Sequence, residues 1–396
     1  MKCQIRNILK YDLCLGCGLC QSVSSGRVQM RLNSKGFYEP NVSSLKDDDE
    51  SLITQVCPGI NVTCGQISSK SIWGTTLKAV NAWSTDSIIR HTASSGGVTT
   101  ALAIYLLESK KVDGILQVGV EEGNYLHNKL YLSKRKEEVL KCSSSRYAPA
   151  PLFKEIINLL DYNPKDTFAF IGKPCDIAGI KNLIQEMPQY KSRIKYFLSI
   201  FCAGMPSYNA TKQAIESFNR EEEPIALRYR GDGWPGYFTA TYSDGSKEKM
   251  TYNDSWGKIL GRQLGFRCKI CPDGIGMLAD IASGDSWNTK NGYPDFTESE
   301  GKNFCFIRTS EGLNLFNDAE KAGYVTTEEL NVEDVKSMQA YQYNRRHFVG
   351  WRILTTQLAT KSILHFENLG YYRNALHSNI IKGIKQAVGT YRRLKK

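Results

Sequence analysis

The stretches AFIGKPCDIAGIKNL (Ala169–Leu183) and RIKYFLSIFCAGMPSYNATKQAI (Arg193–Ile215) decide the fold. Each opens on an apolar run of strand length, turns at Gly, Pro and Cys, and continues with helical spacing. Consecutive strand–loop–helix units predict a parallel sheet with both loops at its carboxyl edge, where open α/β sheets place their sites. Cys175 and Cys202 would then stand side by side at that edge. Alone, each reads as a small buried hydrophobe. At two successive strand ends they read as ligands that need partners.

The partners stand downstream in RCKICPDG, where Cys268 and Cys271 form a knuckle too small to close a site. We therefore group Cys175, Cys202, Cys268 and Cys271 as one metal-binding set. A second set opens the chain: Cys14, Cys17 and Cys20 make C-x2-C-x2-C within YDLCLGCGLCQSV. Two-residue spacers let three thiolates wrap one corner of a cubane, as in ferredoxin-type 4Fe-4S runs. Gly16 and Gly18 let the backbone curl and bring N–H groups to sulfur. Ser24 occupies the position of the usual fourth Cys, and the nearest Cys-Pro is Cys57-Pro58, so Cys57 is assigned as the fourth ligand, with Cys64 in reserve. Zinc is the rival metal, but zinc sites usually pair two knuckles. Cys3, Cys64, Cys142 and Cys305 have no such context and read as structural.

Composition agrees with metal chemistry. Twelve cysteines in 396 residues, with no apolar leader after Met1 and no run long enough to cross a membrane, point to a cytosolic protein using thiols for metal or redox work. Apolar residues at 41% and charged residues at 23% exclude disorder, collagen and coiled coil as whole-chain readings. The expected class is α+β or α/β. A small ferredoxin-like iron–sulfur module (1–68) precedes an α/β core, and a basic helical tail (326–396) follows it.

Within the core, Ile72–Asn81 reads as a connector. HTASSGGVTTAL places Ser94, Ser95, Gly96 and Gly97 before an apolar helix that runs to Lys110-Lys111, followed by a strand over Gly114–Val120. Unblocked N–H groups at a helix start favour an anion, and phosphate or pyrophosphate is the reading weighed against a plain cap. SSSRYAPAP (Ser143–Pro151) is a second polar loop: Arg146 suits a phosphate and Tyr147 a planar ring, against a plain solvated loop. Asp244-Gly245 marks a hairpin. Asp280, Asp285 and Trp287 are further polar and ring contacts, and Asp176 and Asp285 are the proton-donor candidates, with loop hydrogen bonds as the competing role. The acidic run Lys46–Glu50 reads as a solvated loop. Five histidines show no catalytic or metal spacing, and no phosphate-binding Walker loop is present.

The tail carries seven of the net eleven positive charges, with Arg373, Lys382, Lys385, Arg392, Arg393, Lys395 and Lys396 and no acid between Tyr371 and Lys396. IIKGIKQAVGTYRRL has helical spacing, so an anionic membrane surface competes with a stripe of Ile380, Ile381, Ile384 and Val388 packed on the body. No aromatic platform accompanies the charge, which argues against nucleic acid.

Taken in order, C-x2-C-G-x-C, ASSGGVTTAL, SSRYAPA, FIGKPCDIAGI, FCAGMPS, RCKICPDG and ADIASGD resemble the coenzyme F420 hydrogenase/dehydrogenase beta subunit family over roughly residues 10–310. The resemblance implies an iron–sulfur flavoprotein. The regions would be a beta-subunit N-terminal flavin-binding region (75–155) and a C-terminal domain with a second cluster (156–325). By that analogy Ser94, Ser95, Gly96, Gly97, Ser145, Arg146 and Tyr147 hold FAD, and Cys175, Cys202, Cys268 and Cys271 hold the second 4Fe-4S cluster. The single N-terminal triplet leaves room for one cluster there. A basic tail beyond the shared core resembles members from surface-polysaccharide clusters, implying a small-molecule or sugar substrate. The function expected is an oxidoreductase passing electrons between a carrier (reduced coenzyme F420 or a ferredoxin), the clusters and FAD. It would be cytoplasmic or peripheral at the inner membrane face. The rivals are a non-catalytic electron-transfer subunit and a zinc-binding interaction protein.

Overall fold

The computed structural model describes residues 4–65, 70–361 and 364–395; Cys3, residues 66–68 of the expected N-terminal module and Lys396 lie outside them. An eight-stranded mixed sheet organises the core. Its strands are β1 (Lys78–Ser84), β2 (Gly114–Glu121), β3 (Asn124–Ser133), β4 (Phe168–Gly172), β5 (Ile194–Ile200), β6 (Ile281–Asp285), β7 (Asn303–Ile307) and β8 (Val325–Glu329). Across the sheet they run β8-β1-β7-β6-β5-β4-β2-β3. The four middle strands β2, β4, β5 and β6 are parallel, and antiparallel strands flank them on both sides.

The apolar runs of β4 and β5 follow from this position. Strands covered on both faces carry near-continuous apolar sequence, and Phe168, Ala169 and Phe170 are fully buried. One face packs on the helices Val98–Glu108 and Ser310–Lys321. The other packs on the helix Pro174–Glu186 and, through Leu13, Leu19, Val56 and Ile60, on the N-terminal segment. That segment therefore shares the main core. Phe153 N donates to Cys17 O at 2.8 Å, and Asn61–Thr63 pairs in parallel with His365–Glu367 near the other end of the chain.

Several expectations need correction. Ile72–Asn81 is more than a connector, because β1 begins at Lys78 inside the sheet. The apolar helix ends at Glu108. The run Asp47–Glu50 is the first turn of the helix Asp47–Val56, where carboxylates suit the dipole, and Asp49 is buried against Arg27. The hairpin forms as Phe238–Thr241 against Lys247–Met250. The tail is helical only in part: β8 closes the sheet edge, and the helix Ala340–Thr360 buries Arg345 and Arg346. Among the described residues no helix is long and apolar enough to cross a membrane.

Candidate functional site

Cys14, Cys17, Cys20 and Cys57 line one apolar enclosure with Leu15, Leu19, Ile53 and Val56. Gly16 and Gly18 have φ of +66° and +88°, left-handed values that favour glycine. Space demands them as well: a Cβ would lie 2.8 Å from Tyr38 O at Gly16 and 2.7 Å from Lys154 N at Gly18. Gly16 N points at Cys14 Sγ over 3.3 Å. Burial, and after it the proximity of Cys57, pushes the Cys14 thiol up to about 12. Cys17 and Cys20 are raised by burial and then by other members of the set. Cys64 lies elsewhere, buried beside Met277 O, so Cys57 is the member that completes this group.

The second set gathers at the carboxyl edge. Cys175 lies in the first turn of the helix after β4, Cys202 follows β5, and Cys268 and Cys271 follow the short helix start at Phe266. Cys202 N donates to Gly274 O at 2.9 Å, tying the β5 loop to the knuckle. Burial, and after it Cys268, pushes the Cys202 thiol up to about 12. Cys175 is raised by burial, then by Asp176, with Cys202 and Cys271 adding to it. Buried thiols of this kind ionise only when a cationic group binds them. Among the described residues no three His, Cys, Asp or Glu are placed to hold a metal ion. The thiols of the first set line an enclosed space.

Buried cations frame these thiols. Arg345 donates to Cys202 O at 2.9 Å and to Ala203 O, and Gln342 donates to Cys202 O at 2.8 Å. Arg267 donates to Pro58 O at 3.0 Å and to Gly59 O. It therefore joins the loop of Cys57 to the residue beside Cys268, and its charge lowers both thiols against burial. Arg267 Nη1 and Arg345 Nε are buried with no hydrogen-bond partner among the described residues. Orphaned N–H donors beside thiols fit an anionic, sulfur-rich group.

A cleft of about 300 Å³ opens where β4, β5 and β6 end. Ser94, Ser95, Gly97, Ser145, Arg146 and Tyr147 line it, and so does Cys202 of the second set. The two polar loops meet there, with Ser145 N donating to Ser94 Oγ at 2.8 Å. Gly96 instead backs onto Asn303, whose N would lie 2.8 Å from a Cβ. Gly97, at φ +76°, heads the helix Val98–Glu108, and a Cβ there would meet Ile89 at 3.1 Å. A bulky residue at Gly97 would thus strain the fold itself.

Arg146 lines the cleft and is also held by protein groups. Its Nε donates to Asn128 Oδ1 at 2.7 Å, Nη1 to Leu227 O at 2.9 Å and Nη2 to Tyr125 O at 2.9 Å. These three bonds brace the loop, and each terminal nitrogen carries a second N–H beyond them. Asp280 is likewise structural, accepting from Phe197 N and Thr309 Oγ1. Asp176 caps its own helix and holds Lys173 Nζ at 2.7 Å. Asp285 accepts from Arg230 at 3.0 and 3.1 Å and from Trp234 Nε1 at 3.1 Å. Both carboxylates are engaged by protein donors. Cys142, read as structural, lines the cleft.

Of the far wall, Asp285 and Trp287 were foreseen, and Arg230 and Trp234 were not. Arg230 is buried between the rings of Tyr252 and Trp287, and Trp234 stacks on Trp287 at 4.5 Å and 6°. The run RGDGWPG (Arg230–Gly236), whose Gly231, Gly233 and Gly236 all have positive φ, was the available signal for a tightly folded binding loop.

The family models described as coenzyme F420 hydrogenase/dehydrogenase beta subunit, N-terminal and C-terminal, match residues 79–156 and 165–333. Coenzyme F420 hydrogenase subunit beta from Methanococcus voltae is 27% identical over 71% of this chain and 97% of its own. F420-dependent formate dehydrogenase subunit beta from Methanocaldococcus jannaschii is 26% identical over 68% of this chain and 69% of its own. A chain of the F420-reducing NiFe hydrogenase complex from Methanosarcina barkeri has a TM-score of 0.57 at 20% identity, covering 76% of this chain and 98% of that one, a likeness of fold. With more than half its length matched in order, the chain belongs to the coenzyme F420 hydrogenase/dehydrogenase beta subunit family.

Proposed function

We propose that this chain is the electron-transferring subunit of an oxidoreductase, with 4Fe-4S clusters at its two cysteine sets and FAD in the cleft. The observation that carries the reading is Cys202, which belongs to the second thiol set and also lines the cleft. When bound, a flavin exchanges electrons in pairs or singly while clusters accept single electrons, so the two together connect a hydride carrier to a one-electron acceptor. The chain's own residues bind and orient. The Gly16 amide and the buried Arg267 and Arg345 stabilise thiolate charge. Ser94, Ser145 and the helix start after Gly97 offer hydroxyl and N–H donors for a pyrophosphate. Tyr147, Trp256 and Trp287 supply flat walls for a ring system.

Electron transfer without substrate chemistry of its own is the narrower reading. The engagement of Asp176 and Asp285 favours it, since no cleft carboxylate among those considered is free to protonate a substrate. The carrier, by the names of the relatives, is reduced coenzyme F420, with a ferredoxin as the alternative. Nothing in the cleft lining selects a sugar. The enclosure lined by the first thiol set suits a cluster that brings its own sulfide better than a zinc ion about 2.3 Å from each sulfur.

Anaerobically purified chain supplied with iron, sulfide and FAD should bind flavin in fixed ratio, and its absorbance should bleach on adding reduced coenzyme F420 or reduced ferredoxin. A colourless protein carrying zinc would replace the proposal with a zinc-binding interaction protein. A brown protein that never takes up FAD would leave a cluster-only electron carrier.

A further inference from the structure

The helix Ile380–Leu394 lies beyond both family regions, which end at residue 333. Asn379 caps it by accepting from Lys382 N at 2.9 Å. It is seated on the helix Ala340–Thr360 through small and polar groups. Gly383 lies so close to Trp351 that a Cβ would fall 2.4 Å from the ring. Trp351 Nε1 donates to Ser378 Oγ at 3.0 Å, Arg352 Nε donates to Gln386 Oε1 at 3.0 Å, and Thr390 is buried. The inward face of this helix is thus Gly383, Gln386 and Thr390.

The apolar stripe points the other way. Ile380, Ile381, Ile384, Val388 and Tyr391 are all exposed, Ile381 at 67% and Ile384 at 51%. This settles the alternative left open by the sequence: the stripe does not pack on the body. At 3.6 residues per turn these five side chains occupy an arc of about 100°. Lys385, Arg392, Lys382 and Arg393, all exposed, occupy the adjoining arc. None of these four makes an ion pair with an acid among the described residues. Leu376 just before the helix, and Leu354 and Leu358 on its partner helix, are exposed as well. An apolar arc beside an unpaired cationic arc, held outward on a rigid seat, is the pattern of a helix that lies in a membrane interface.

We propose that this outward face docks the protein on a bilayer containing anionic lipid, with the isoleucines, Val388 and Tyr391 in the headgroup boundary and the lysines and arginines on lipid phosphate. Charge complementarity selects this occupant: Tyr371–Lys395 contains no acid to meet a basic partner and a surplus of cations to meet an anionic one. The helix is too polar to span the bilayer, so it rests on the surface. This inference does not depend on the cofactors.

The test uses the full chain with vesicles of phosphatidylcholine alone or mixed with phosphatidylglycerol. Cosedimentation should require phosphatidylglycerol and be reversed at high salt. Lys382→Glu with Lys385→Glu should weaken it about tenfold or more, and Ile381→Asp with Val388→Asp should abolish it. Unchanged circular dichroism and melting show that these exposed positions leave the fold intact. No binding to phosphatidylglycerol vesicles at low salt, or equal binding by the variants, overturns the proposal. So does a wild-type dimer dispersed by the isoleucine and valine changes in the absence of vesicle binding, which would assign the face to a second copy.

Discussion

Replacing Cys202 by serine is expected to remove about half of the iron from the anaerobically reconstituted protein, from about eight to about four atoms per chain, as two four-iron clusters require. Cys202 is the member of the second set that follows β5, and its backbone bond to Gly274 does not involve the sulfur, so serine leaves the loop anchored. A hydroxyl is a poor substitute for a soft thiolate. The first set, around Cys14, Cys17, Cys20 and Cys57, occupies its own enclosure and should keep its iron. Cys17→Ser should do the reverse. Iron analysis on the two variants checks both halves: unchanged iron in Cys202→Ser would dissolve the second set, and complete loss in either would mean that the sets are not independent.

Replacing Arg230 by methionine should destabilise the protein by about 3–5 kcal/mol. Arg230 is buried, forks onto both oxygens of Asp285 and also donates to Pro235 O at 3.1 Å. Methionine fills much of its volume between Tyr252 and Trp287 but leaves Asp285 a largely buried carboxylate whose remaining side-chain donor is Trp234. An unpaired buried charge accounts for most of the expected loss, so Asp285→Leu added to Arg230→Met should restore a large part of it. Denaturant midpoints of the single and double variants give the comparison. A single variant within about 1 kcal/mol of the parent would show that the pair is solvated in solution and that the wall is not rigid.

The parts of the site that were legible in the sequence are those set by local spacing. The C-x2-C-x2-C run, the Cys-Pro signal at Cys57 and two successive strand ends all place a thiol without knowledge of distant residues. The bracing of Arg146 was not legible because its acceptors, Asn128, Tyr125 and Leu227, belong to segments before and well after it. The burial of Arg345 and Arg346 was not legible, because both look like surface charge in sequence. Their burial follows from backbone carbonyls of Cys202, Ala203, Pro272 and Leu369, which no side-chain pattern announces. β1 escaped notice for a topological reason: its neighbours β7 and β8 come more than two hundred residues later, and antiparallel pairing across that distance leaves no strand–loop–helix signature. The apolar face of the last helix shows the opposite failure, since its periodicity was plain but the direction it faces depends on Trp351.

We propose that the two thiol sets hold two iron–sulfur clusters, linked through Arg267, with Cys202 of the second set lining the cleft. Electron paramagnetic resonance of the fully reduced, anaerobically reconstituted chain tests it most directly. Two reduced 4Fe-4S centres per chain whose signals broaden one another are expected, with a simple unsplit signal from one centre in Cys202→Ser. A fully reduced parent protein that shows a single isolated centre, or none with zinc in its place, would contradict it.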